Sequence, residues 1–258
     1  MFEYEMQDSG TVRITRYTGN GLQVDVPPVL DGHPVTELGD YAFSGLPVNA
    51  VSLPVSLKRM GRYALYNCRE LETLEFCSPL MDFGAGTFTG CHRIKKLIVS
   101  FYGEEISALR EVLAEVAEEL TVEYCCDGGK AVLVFPEFFE EGVENTPARI
   151  IEHHTHGSGM YYRNCFVNRK LQFDEYDRRF PYAIGQEREE LLILLAAYRL
   201  MYPYGCSLQA SGIYEDFLQH HFDEAVALFT GKGEYGLMSF LMNRLRAPSA
   251  ASAPDLDL

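Results

Sequence analysis

The residues of this chain best equipped for chemistry form a histidine run, Glu152-His153-His154-Thr155-His156, the one cluster with metal-ligand character. Neutral imidazoles beside a carboxylate suit zinc or another borderline cation. In an extended segment His154 and His156 share a face while His153 points away, so His154 and His156 are the metal candidates. His220 and His221 are the next helpers by residue type. No His-Glu-x-x-His helix completes a catalytic set, and the competing reading is a surface or structural histidine run. Gly84-Ala85-Gly86-Thr87-Phe88-Thr89-Gly90 resembles a dinucleotide-binding loop only in its glycines. Such a loop needs a strand before it and a helix after it to meet the pyrophosphate, and neither is predicted here. Ser158, in Gly157-Ser158-Gly159, lacks the strand-turn-helix context of a nucleophile elbow. Cys125 and Cys126 are adjacent, without a second pair at zinc-ribbon spacing. Cys165 and Cys206 have no partner motif, although folding can bring a cysteine and a histidine together. Arg163, Arg169, Lys170, Arg178 and Arg179 are interleaved with Asp174, Glu175 and Asp177, which reads as a salt-bridged surface. No residue is assigned a catalytic role and no cofactor is called for.

The elements that would position these groups fall into two kinds. Up to about residue 126 the chain repeats: Leu38-Gly39-Asp40-Tyr41-Ala42-Phe43-Ser44-Gly45, Met60-Gly61-Arg62-Tyr63-Ala64-Leu65-Tyr66-Asn67 and Phe83-Gly84-Ala85-Gly86-Thr87-Phe88-Thr89-Gly90 align. Gly39, Gly61 and Gly84 lie 22 and 23 residues apart, and Phe43, Leu65 and Phe88 keep that spacing. After each copy comes a short alternating run: Val51-Ser52-Leu53, Leu74-Glu75-Phe76 and Leu97-Ile98-Val99. Such alternation makes a strand with one buried face, and a turn of small residues returns the chain for the next rung. One rung cannot bury its own apolar face, but stacked rungs share a continuous core. Cys68 and Cys91 fall on equivalent ladder positions, where a small apolar side chain is wanted.

These residues resemble the bacterial surface-antigen-like (BspA-type) leucine-rich repeats, whose consensus reads approximately I-G-x-x-A-F-x-x-C-x-x-L-x-x-I-x-I-P. The first copy offers Leu38-Gly39, Ala42-Phe43, Val51, Leu53 and Pro54, the second Met60-Gly61, Ala64-Leu65, Cys68, Leu71, Leu74 and Phe76, and the third Phe83-Gly84, Phe88, Cys91, Ile94, Leu97 and Val99. Departures are Leu65 for the usual Phe and no Pro after Phe76 and Val99. The resemblance covers roughly residues 20–100 and implies a solenoid that binds other molecules, without naming a ligand. The pattern predicts one degenerate rung on each side, at Leu22 to Pro27 and at Thr121 to Tyr124, and a hairpin over Phe2 to Met6 and Thr11 to Tyr17 that would cover the edge of the first rung. Ile106, Leu109, Leu113, Val116 and Leu120 predict an amphipathic helix from Glu104 to Leu120.

Beyond Gly128-Gly129 the texture changes. Ala131 to Phe135 reads as a strand closed by Pro136, and Glu137 to Ala183 has no clean period. Helices are predicted over Gln186 to Met201, from about Ile213 to Phe229, and over Glu234 to Leu245, with a turn at Thr230 to Gly233. The last two are faintly similar to a single ankyrin-type unit without its start motif. The expected organisation is therefore α/β (α+β): a short solenoid with parallel strands over residues 1–126, a second mixed, mainly helical domain over 130–246, and a disordered tail over 247–258.

Charge narrows the partners. Residues 1–130 hold 11 Lys/Arg against 19 Asp/Glu and the remainder 11 against 18, so neither half supplies the excess of cations that nucleic acid or an anionic membrane would demand. The longest apolar run, Leu191 to Tyr198, is far short of the roughly 20 residues of a membrane span. The acidic start, Met1-Phe2-Glu3-Tyr4-Glu5, has no secretory character, and seven cysteines fit reduced thiols, so a cytoplasmic location is expected if Met1 is the native terminus, and a surface location if a leader has been removed. The function expected is non-enzymatic recognition of a protein or peptide partner. The binding face would be the outward positions of the rungs: Gln23 and Asp25, Ala50 and Ser52, Thr73 and Glu75, Lys96 and Ile98, joined by Thr121 and Glu123 if the last degenerate rung forms. The alternative is a metal-dependent enzyme or metal-binding protein with its site in residues 131–210.

Overall fold

The computed structural model describes residues 1–145 and 150–245, and their side chains apart from those of 143–145 and 150–154. The tail expected from residue 247 lies outside the described residues. The chain opens with the hairpin β1 (Phe2–Met6) and β2 (Val12–Tyr17) and then alternates between two sheets. β3 (Gln23–Asp25) belongs to the long sheet, whereas β4 (Val29–Leu30) and β5 (His33–Leu38) belong to the other. β6 (Ala50–Ser52), β8 (Thr73–Cys77) and β10 (Lys96–Ser100) return to the long sheet, and β7 (Arg59–Met60) and β9 (Asp82–Phe83), which lie between them in sequence, return to the other, also six-stranded and called short here for these two-residue rungs. After α1 (Leu109–Glu115) come β11 (Leu120–Cys126) and β12 (Gly129–Phe135), completing a six-stranded long sheet of order β12-β11-β10-β8-β6-β3.

The repeat makes this architecture by register. Val24, Val51, Leu74, Leu97 and Val122 stand side by side on neighbouring parallel strands, and each is at most 4% exposed. Each such side chain contributes on the order of 1.5–3 kcal/mol relative to exposure. Both degenerate rungs are present, as β3 and β11. The repeat glycines also let the rungs approach: a Cβ on Gly61 would lie 2.5 Å from the Asp40 amide nitrogen, so stacking brings rungs closer than any side chain allows. Below them Cys68 and Cys91 donate to the carbonyls of Phe43 and Leu65, both at 3.0 Å, each reaching one rung back.

Three expectations are corrected. The hairpin does not cover β3; β2 pairs in parallel with β5, because Val12, Ile14 and Tyr17 extend the core beneath the short sheet, where Tyr17 stacks on Phe43 at 5.3 Å. The helix expected over 104–120 is confined to Leu109–Glu115, since Val116 is already extended on the way to β11. The single helix expected from Ile213 is two, broken at His221, whose Nδ1 sits 2.8 Å from the Phe217 carbonyl oxygen and whose ring stacks on Phe217.

The second region begins with the hairpin β13 (Phe139–Asn145) and β14 (Ile150–His156). Short elements follow: α2 (Gly159–Arg163), β15 (Phe166–Val167), β16 (Lys170–Leu171), α3 (Phe173–Asp177) and α4 (Phe180–Ala183). Four longer helices close the chain: α5 (Glu189–Met201), α6 (Leu208–His220), α7 (Phe222–Lys232) and α8 (Tyr235–Leu245). Buried side chains from Val12 to Leu241 form one connected core, so these helices pack on the solenoid rather than beside it. The outer edge of β12 is closed by the Tyr176 hydroxyl, which bonds both the amide and the carbonyl of Val134, and by a bridge from Ala131 to Pro203. Closing an edge this way removes a template for aggregation. Tyr124 and Tyr204 both donate to Glu105, fastening the last parallel strand to the α5–α6 turn.

Two residues expected in the salt-bridged surface stretch are buried instead, Arg163 at 6% exposure, held by backbone carbonyls, and Asp177 at 5%, whereas Arg169 stays part-exposed and pairs with Glu111 at 2.6 Å while reaching the Met81 carbonyl at 3.0 Å. Deeper still, Arg199 and Asp177 form a buried two-pronged ion pair at 2.8 and 2.9 Å, with the Tyr214 hydroxyl donating to the same carboxylate at 2.8 Å.

Candidate functional site: the outward face of the long sheet

Because side chains alternate across a strand, the rows that interleave with the buried set face outward. One row runs Gln23, Ala50, Thr73, Lys96, Thr121 in register, and the next Asp25, Ser52, Glu75, Ile98, Glu123. Gln23 and Asp25 are exposed, and the other eight are half-buried. Small side chains at positions 50, 52 and 73 leave this stretch flat, with acid supplied by Asp25 on the edge strand β3 and Glu75 on the middle strand β8.

The opposite end has a wall. α5 packs on β12 and buries Val132 and Val134, the outward positions of that strand. A groove of about 400 Å³ remains where the sheet meets the helices, lined by Lys95, Lys96, Glu123, Lys130, Tyr198, Tyr202 and Glu234 among others. Glu123 is its electrostatic centre, 2.6 Å from Lys96 and 2.6 Å from Lys130. Burial pushes the Glu123 carboxyl up, but hydrogen bonds and charge from the two lysines outweigh this and hold it below the usual range. The Lys130 ammonium also sits 4.9 Å from the centre of the Tyr202 ring, a cation–π contact that ties sheet to helix. Burial raises the Tyr198 phenol to about 12, so it stays a neutral donor at the rim. The face thus carries acid at Asp25 and Glu75, and ends at the helices in a groove where lysines and carboxylates alternate.

The sheet positions read from the sequence are brought together as two continuous rows. Lys130, Tyr198, Tyr202 and Glu234 escaped that reading. Lys130 had a signal, the Asp127-Gly128 pair of a two-residue hairpin that returns β12 beside β11; the wall residues had none.

Among the described residues the histidine candidates form no cluster. His156 stacks on Phe139 at 4.6 Å and its Nε2 lies 3.3 Å from Glu141. The side chain of His154 lies outside the described ones. His220 and His221 each set Nδ1 against a carbonyl of their own helix, at 2.7 and 2.8 Å. Among the described residues no group of three His, Cys, Asp or Glu is placed to hold a metal ion. Metal analysis of purified protein should find less than one equivalent of zinc, unchanged in a His154→Ala/His156→Ala double variant. Stoichiometric zinc lost in that variant would restore the metal reading.

Residues 31–109 match the family model described as BspA type leucine rich repeat region, in six copies. The repeat family that the three copies resemble is the family whose model matches. Similar solved structures include a leucine rich cell surface protein from Faecalibacterium prausnitzii A2-165, 24% identical over 41% of this chain and 29% of that one, TM-score 0.35. A leucine-rich repeat protein from Bacteroides capillosus ATCC 29799 is 22% identical over 49% of this chain and 94% of its own, TM-score 0.37. One from Bacteroides ovatus ATCC 8483 is 28% identical over 39% of this chain and 30% of its own, TM-score 0.34. The chain therefore spans less than a third of the first of these proteins. No curated protein matches it. Among the described residues no helix is long and apolar enough to cross a membrane.

Proposed function

We propose that this chain is a non-catalytic recognition module that holds an extended segment of a protein partner across the outward face of the long sheet. The supporting observation is the pair of in-register rows, acidic at Asp25 and Glu75, that end against the Lys96–Glu123–Lys130 cluster and the helical wall. Five strands about 4.8 Å apart offer a track of roughly 20 Å, the length of an extended peptide of about six residues. Flat small residues admit a backbone, and the charges along the track set its register, since complementary charge suppresses wrong partners.

The test is a pull-down followed by quantification of each recovered partner. Glu75→Lys with Lys96→Glu is expected to weaken a partner of this face on the order of tenfold; a carboxylate at position 96 also repels Glu123, which keeps only Lys130, so circular dichroism confirms that the variant is folded at the temperature of the assay. Binding unchanged by the double reversal would remove this face from consideration.

A further inference from the structure

The two sheets carry comparable outward rows that differ in one respect. Across the short sheet Glu5, Arg13, Glu37, Arg59 and Asp82 stand in register on neighbouring strands, acid and arginine in alternation. Each neighbouring pair is in contact, at 2.8, 2.8, 3.8 and 3.1 Å, so this row satisfies its own charge. Across the long sheet acids recur at the same interval, Asp25 on β3, Glu75 on β8 and Glu123 on β11, but Ser52 and Ile98 stand where the arginines would. Glu123 takes its cations from beside the row, from Lys96 and Lys130. Asp25 and Glu75 take none: among the described residues neither carboxylate makes an ion pair or a side-chain hydrogen bond. The uncompensated charge is felt next to it, where burial and then the Glu75 charge push the Cys77 thiol up.

Two unpaired carboxylates on one row attract a cationic partner, and their separation restricts its shape. They lie two strand spacings apart, about 9.6 Å. A β-strand crossing the rungs offers side chains on one side every ~6.6 Å, or ~13 Å for every second one, and misses that interval. A polyproline II segment rises about 3.1 Å per residue with three residues per turn, which puts residues i and i+3 on one side about 9.3 Å apart. Its backbone stays solvated, so it loses little on a sheet face, where strand pairing already uses the backbone groups. Ala50, Ser52 and Thr73 are small enough to admit it between the acids. Beyond Glu75 the track runs onto Ile98 and then the wall of Tyr198 and Tyr202, apolar surface of the kind that proline rings pack against.

We infer that the segment recognised by this face is basic and lies on it as polyproline II, with one arginine beside Asp25 and another, three residues on, beside Glu75. The inference rests on the recognition role proposed above and names the chemistry of its partner. Arginine is favoured over lysine because its planar fork matches a carboxylate, and the short sheet already closes its row with arginine.

The probe is a labelled nine-residue proline peptide with arginine at its third and sixth places, titrated into the full chain and read by fluorescence anisotropy. Saturable binding is expected that weakens as salt rises, drops roughly tenfold in Asp25→Asn/Glu75→Gln, and drops several-fold when the second arginine is moved to the fifth place. With glutamate in place of both arginines the peptide should not bind. Asp223→Asn/Glu224→Gln removes the same charge from an exposed part of α7 and should leave binding as it is, which separates this face from the net charge of the chain. Circular dichroism confirms that both double variants are folded. Absence of saturable binding, equal binding of the glutamate or respaced peptide, binding unchanged in Asp25→Asn/Glu75→Gln, or equal loss in the two double variants would each overturn the inference. Should a pull-down partner be lost in Glu75→Lys/Lys96→Glu yet bind Asp25→Asn/Glu75→Gln as well as the parent, the face keeps its recognition role and the basic polyproline II segment falls alone.

Discussion

Gly84→Ala should cost the protein roughly 3 kcal/mol, measured by chemical denaturation, although it adds one methyl group to a small-residue turn. The added Cβ would lie 2.4 Å from the Arg62 amide nitrogen, 2.4 Å from the Gly61 carbonyl carbon and 2.6 Å from the Gly61 carbonyl oxygen. All three belong to the backbone of the preceding rung, so no rotamer change relieves the clash. Relief means opening the stack, and that separates the Val51-Leu74-Leu97 row on which the core depends. Gly231→Ala is the control: this glycine lies inside α7 with nothing within 4 Å of its would-be Cβ, and the change should stabilise by about 0.5–1 kcal/mol. If the two variants shift stability by similar amounts, close rung packing is not what the repeat glycine provides.

Arg163→Met should destabilise by roughly 3–5 kcal/mol, the range for stripping one side of a buried charged network. The guanidinium is a cap shared by three segments. Its Nε donates to the carbonyls of Leu113 and Val116 at 3.1 Å each, and its Nη2 to Glu118 at 2.8 Å, so it serves carbonyls that the C-terminal end of α1 leaves free. Its Nη1 donates to Pro136, at the end of β12, and to Gly159 at 3.1 Å. The plane also faces the Phe138 ring at 5.0 Å. Burial lowers its pKa to about 10, with Glu118 opposing, so the group remains charged at neutral pH and the carbonyl dipoles replace the water it has lost. Methionine fills much of the volume and leaves five carbonyls without their donor. Arg163→Lys should recover only part of the loss, because a compact ammonium cannot reach carbonyls arranged around a planar fork. Hydrogen exchange adds a local readout: amides of α1 should lose protection first in Arg163→Met. A variant within about 1 kcal/mol of the parent would show the cage to be dispensable.

What was legible beforehand follows from the range of the forces involved. The solenoid rungs were readable because each is set by local alternation and by a glycine recurring every 22 or 23 residues. The outward rows came with them, since alternation assigns both faces at once. The hairpin strands were readable, but not the sheet they join, because both sheets cover one core and apolar Val12 and Ile14 fit either side. α1 was overread since periodicity reports which residues are buried, and Val116 and Leu120 are buried in extended backbone as readily as in a helix. The break at His221 has no glycine or proline to announce it, and the carbonyl contact with Phe217 is a detail of packing.

Spacing along the chain is enough to specify the rung, its stacking and which side chains line the shared interior, because these depend on a few dozen residues repeated with a near-constant period. The tertiary structure alone decided where the helices dock and what they close. Arg163 finds its carbonyls 45 to 50 residues away on α1 and the following turn, the β12 edge waits for Tyr176 42 residues on, and Tyr198 and Tyr202 build the wall of the sheet face. Such pairings satisfy individual buried polar groups at long range, and no periodicity in the chain encodes a partner met only once.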